Sequence, residues 1–120
     1  MVTLEFGLIA AFLIIVLAGT MDLGRFLATR TALRAAVGEV ARAAMTNTAL
    51  TGCSTPETYA LSKVAMLDAA ALGVCVTRAT GSVTVSASYS FTFIVPILGT
   101  APRTLSASVT SPTLAYVAVP

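Results

Sequence analysis

The 120-residue chain is 57% hydrophobic and 10% charged, with a net charge of +2 and a mean hydropathy of +0.92. Ordinary globular domains average about 45–50% and about 25%, so much of this chain avoids water. Its length holds one small domain plus an anchor rather than two globular domains. There is no His, and only Glu57 and Asp68 supply carboxylates after residue 46. That inventory argues against general acid–base catalysis and against zinc or calcium sites, and no Lys/Arg cluster marks a phosphate-backbone footprint. A non-enzyme without cofactor, metal or nucleic-acid partner is expected.

The first element is the stretch Met1 to Met21, whose one charge is Glu5. The sixteen uncharged residues from Phe6 to Met21 span about 24 Å as a helix, and residues 1–4 bring the stretch near bilayer thickness. An ionised side chain in hydrocarbon costs several kcal/mol by most estimates, so Glu5 needs a partner. If Met1 is a mature N-terminus, its α-amino group supplies a cation about one helical turn away, on this chain or a neighbour. The plain alternative is a first-turn carboxylate favoured by the helix macrodipole. A cleaved secretory signal ending at Val16-Leu17-Ala18 is another reading, but the basic n-region is missing.

The helical pattern does not stop at Met21. Phe26, Leu33, Val37, Val40 and Ala44 form one narrow apolar stripe, while Arg25, Arg34, Glu39 and Arg42 point elsewhere. One helix over about 2–46, roughly 67 Å long, is therefore expected, apolar all round over 1–21 and amphipathic over 22–46. Asp22 and Arg25, spaced i, i+3, can pair within it, worth only about 0.2–0.5 kcal/mol if exposed, or between subunits if a polymer buries them. Thr46-Asn47-Thr48 and Gly52 end the element.

Ser54-Thr55-Pro56-Glu57 announces a second helix, with Ser as N-cap and Pro just inside, running over about 55–72 to Gly73 as its left-handed stop. An antiparallel meander follows. Val74 to Ala79 reads as a strand joined through Thr80-Gly81 to a longer one. There Val83, Val85, Ala87, Tyr89, Phe91 and Phe93 alternate with Ser and Thr for twelve residues. After a loop with Pro96, Gly99 and Pro102, the alternation returns at Leu105, Ala107 and Val109. Pro112 marks an edge, bulge or break before a last segment, 114–119. The Ser/Thr face is left to water or a neighbouring subunit. The expected class is α+β, with a small head over 47–120 packed as one unit on the helix.

Cys53 and Cys75 flank the second helix. A bridge between them closes a loop worth about 3 kcal/mol, and an apolar anchor before the domain favours an oxidising compartment. The alternative is a pair of free buried thiols in a reducing one. Four arginines, Arg25, Arg30, Arg34 and Arg42, follow the span and no Lys or Arg precedes it, which by the positive-inside rule puts the head in the cytoplasm, against the disulfide. Removal of a basic leader from the front resolves the conflict.

Met1-Val2-Thr3-Leu4-Glu5-Phe6, the long apolar helix, Asp22-Leu23-Gly24-Arg25 and the Ala/Arg-rich continuation to Ala43-Ala44 resemble the TadE-like pilins of the Tad, or type IVc (Flp-type), pilus system. The alternating strand that ends in two phenylalanines, then Pro96-Ile97-Leu98-Gly99 and a further alternating strand, looks like the C-terminal half of those proteins. The resemblance implies a type IV pilin-like fold and a prepilin cut by a membrane prepilin peptidase. Cleavage would leave Met1 as an N-methylated first residue and Glu5, beside Phe6, at the position that governs assembly. It implies storage in the inner membrane with a periplasmic head, then extraction by pilus assembly machinery into an extracellular homopolymer, with other pilins as further partners and cell adhesion among the family's roles. The expected function is a structural pilin subunit. The alternatives are a minor tip or initiation pilin, or a single-pass membrane protein with a periplasmic binding head.

Overall fold

In the computed structural model, which describes residues 1–95, 99 and 101–112, two helices pack on one face of a three-stranded sheet. Helix α1 runs Val2–Thr46 and α2 runs Ser54–Lys63; the strands are β1 (Leu72–Ala79), β2 (Ser82–Phe91) and β3 (Arg103–Pro112). The sheet is antiparallel in the order β1-β2-β3. The molecule measures 86 × 21 × 20 Å, because only the second half of α1 lies under the head.

Helix α1 has the bounds that its period predicts. Its stripe residues Leu33, Val37, Val40 and Ala44 are buried and Phe26 is half-buried. Ala32, Ala36 and Ala41 are buried beside them. These small residues widen the contact face and let the sheet approach the helix closely, against Val74, Val76, Val83, Val85 and Ala87. At the C-terminal end of α1 the chain supplies its own cap. Arg78 on β1 donates from Nη2 to the carbonyl oxygens of Ala44 (2.8 Å), Asn47 (2.7 Å) and Leu50 (3.2 Å). A cation there satisfies terminal carbonyls and opposes the negative end of the helix dipole.

Helix α2 is shorter than the sequence suggests. It stops at Lys63 rather than near Leu72, and Ser54 is its first residue with Cys53 in the N-cap position. Ala69-Ala70-Ala71 favours helix, but two demands override that preference. Asp68 turns the chain, its side-chain Oδ1 accepting from the Ala70 N–H and its carbonyl from the Ala71 and Leu72 N–H groups. The β1–β2 ladder then takes Leu72 and Gly73, paired with Tyr89 and Ser88, so Gly73 is a strand residue and not a helix stop. Leu67, between helix and turn, is buried in the core.

The β1–β2 hairpin closes through Thr80-Gly81, with Ala79 opposite Ser82 and Gly81 at φ +80°, a conformation that glycine adopts without a Cβ penalty. Strand β2 ends at Phe91, two residues before its alternation does, and Phe93 lies beyond the ladder. Pro112 is the last residue of the edge strand β3, opposite Ser82. Ser86, Ser88, Ser106, Ser108 and Thr110 are exposed on the face away from the helices. Pro96, Ile97 and Leu98 of the expected loop and the 114–119 segment lie outside the described residues.

Candidate functional site

The first half of α1 projects from the head with its apolar side chains uncovered. Its most apolar 18-residue window has a mean hydropathy of 2.4, and none of it is buried within the subunit. Leu4, Phe6, Leu8, Ile9, Phe12 and Leu13 are all more than half exposed. A helix of this length and composition is able to cross a bilayer or pack among other such helices. Exposed apolar surface on this scale marks an interaction surface.

Glu5 sits in the first turn of that arm. Its backbone N–H donates to the Met1 carbonyl at 3.2 Å, one helical turn earlier. The carboxylate is exposed and makes no ion pair with its own Met1 amine or with any other described residue. Phe6 beside it is exposed as well. Within one copy of the chain, Met1, Glu5 and Phe6 are thus all exposed, and the Glu5 carboxylate has no ion-pair partner among the described residues.

Asp22 lies where the bare arm enters the head, and its surroundings were not legible from an i, i+3 spacing. It is 2% exposed. Its Oδ2 accepts the Val95 backbone N–H at 2.6 Å and its Oδ1 accepts Arg25 Nη1 at 3.1 Å. The Arg25 guanidinium also lies 5.4 Å from the Phe91 ring centroid, a cation–π arrangement. Phe26, Phe91 and Phe93 form a three-ring cluster at centroid separations of 5.2–5.7 Å. Asp22 therefore pins the segment that follows β2 onto α1, and the rings close the bottom of the core around it. The pairing with Arg25 is within one subunit, with Asp22 buried by its own head.

The expected cost of Asp22→Ala is about 2 kcal/mol of head stability, since it leaves a part-buried N–H and a guanidinium without their acceptor. Amide exchange at Val95 and thermal unfolding check this. An unchanged melting temperature with a protected Val95 amide would remove the pin.

Cys53 and Cys75 form a disulfide. Beside it, Gly52 and Val76 exchange two backbone hydrogen bonds, Gly52 N to Val76 O at 3.1 Å and Val76 N to Gly52 O at 2.7 Å. The bridge thus fastens the α1–α2 connection to the outer edge of β1. It encloses α2 and the whole turn to β1 rather than the helix alone.

Residues 1–42 match the model of a protein family described as TadE-like protein. The match covers the bare arm, Asp22, Arg25 and most of the packed half of α1. No curated protein and no solved structure matches the chain.

Proposed function

We propose that the chain, whose residues 1–42 match the TadE-like family model, is a structural pilin subunit which polymerises through α1 into a Tad-type (type IVc) pilus. The observation that carries this reading is the division of α1. Its second half packs one face under its own head, whereas its first half exposes a continuous apolar surface with one carboxylate in its first turn. A bilayer can cover that surface before assembly, and the same half-helices of other copies can cover it afterwards. With Met1 exposed as the first residue by leader cleavage, Glu5 neutralises the Met1 amine of a neighbouring copy in the assembled state, so that apolar packing strands neither charge. The head, built on a disulfide, stands in the periplasm before assembly and on the filament surface after it. The role is structural, not catalytic.

Electron microscopy of sheared cell-surface material, with antibody raised against the head, tests the proposal. Thin filaments decorated along their length are expected. Label confined to one filament end identifies a minor subunit. Recovery of the chain in the membrane fraction alone, with none in sheared material, overturns the polymer reading in favour of a membrane-anchored head.

A further inference from the structure

We propose that the heads of neighbouring copies dock edge to edge, the cationic α1/β3 edge of one against the acidic α2 edge of the next, with Arg34 meeting Glu57 and Arg103 meeting Asp68. This rests on the filament reading above and names the surface by which the heads come into register.

Charge accounting within the subunit isolates these groups. Asp22 is taken by Arg25, Glu39 lies 3.5 Å from Arg42, and Arg78 is spent on three carbonyls. Arg30, Arg34 and Arg103 are left exposed without an ion pair to any described residue, and Glu57 and Asp68 have none either. These leftover charges are separated by sign. Helix α1 covers β2 and β3, whereas α2 covers β1, so α2 and β3 occupy opposite ends of the sheet order. The one cation on the acidic edge, Lys63, has its ammonium over the Tyr59 ring at 5.6 Å.

The two pairs also match in height. Arg34 lines a groove with Ser106, Ala107, Ser108 and Val109. Those strand positions lie across the sheet from Val74, Cys75 and Val76, the level at which the disulfide ties down Cys53 and starts α2, with Glu57 one turn on. Arg103 pairs with Phe91 at the lower end of the sheet. Asp68 is at that end too, its N–H directed to the Tyr89 hydroxyl at 3.3 Å. Opposite edges with opposite charge at two matching levels suit a heterologous contact, the head-to-tail kind that generates open filaments rather than closed dimers. Charge here sets partner and register more than affinity, while apolar helix packing holds the polymer together.

Reversing one partner, Arg34→Glu or Glu57→Arg, juxtaposes like charges and is expected to cut sheared filament yield about tenfold or more. The double variant, Arg34→Glu with Glu57→Arg, is expected to return it to near the parental level. Circular dichroism of the detergent-solubilised chain reports whether each head folds. Should either reversal unfold it, an Arg34→Cys, Glu57→Cys variant treated with a short thiol cross-linker replaces the test. A ladder of covalent multimers in filaments supports the contact, and its absence overturns it. Filaments at normal yield from both single reversals, or a double variant no better than the singles, also overturn it. If the parental chain forms filaments that these reversals leave untouched, only the edge contact falls; if the parental chain forms none, the filament reading falls first.

Discussion

Replacing Glu5 with Ala is expected to abolish filaments while the chain still enters membranes in full amount. The two outcomes separate because they respond to opposite physical terms. Insertion of α1 depends on its apolar character, and deleting a carboxylate removes an unfavourable contribution from the segment. In the proposed filament the start of α1 lies among other helices, where the Met1 amine of one copy must be neutralised. With Glu5 gone, that amine is a buried charge without a partner, and breaking a buried pair in this one-sided way costs about 3–5 kcal/mol. A cost of that size at each added subunit, at about 1.4 kcal/mol per factor of ten, is enough to stop growth. Glu5→Gln keeps the shape and loses the charge, so it should fail almost as completely, whereas Glu5→Asp should retain partial assembly. Carbonate extraction measures insertion, and electron microscopy of sheared material measures filaments. The pairing also requires Met1 to carry the free amine, which an intact-mass measurement on filament protein reads directly. Abundant normal filaments from Glu5→Ala would refute the role of the carboxylate.

Much of the fold was readable because two periodicities dominate the sequence. A helical stripe through Leu33, Val37, Val40 and Ala44 and a two-residue alternation from Val83 onward each repeat long enough to exclude other conformations. The errors lie where tertiary contacts outbid local preference. Ala69-Ala70-Ala71 reads as helix by composition, yet Asp68 turns the chain and the β1 ladder claims Leu72 and Gly73. Sequence spacing also misses partners that are main-chain atoms far along the chain. Arg78 reaches carbonyls 28–34 residues away, and Asp22 accepts an N–H from Val95, 73 residues on. Backbone donors and acceptors exist at nearly every position and leave no mark in the letters. Asp22 and Arg25 were visible as a helical pair, but the burial that makes Asp22 a pin depends on where the chain passes after Phe91.

The same head should lose its fold margin when the Cys53–Cys75 bridge is removed. The two cysteines are 22 residues apart, and chain-entropy arguments assign about 3 kcal/mol to closing a loop of that size in the unfolded state. Small domains have little to spare, since one core of this scale rarely supplies more than about 3–5 kcal/mol. Here the enclosed segment contributes few large anchors: Pro56, Ala60 and Leu67 are its buried residues between the bridge and β1. A Cys53→Ala, Cys75→Ala variant is therefore expected to melt roughly 12–24 °C lower, taking about 4–8 °C per kcal/mol for a domain of this size. Near-ultraviolet circular dichroism follows the head selectively, because Tyr59 and Tyr89 belong to it while α1 carries no tyrosine. Loss should begin locally. Helix α2 and the Gly52–Val76 backbone bridge are expected to exchange their amides well before β2, whose Val83 and Val85 are fully buried against α1. A melting temperature within a few degrees of the parental chain would mean that the paired backbone at Gly52–Val76 and the packing of Ala60 already hold α2 in place. Chemical reduction of the intact protein should reproduce the variant, because Cys53 is exposed and Cys75 only half-buried.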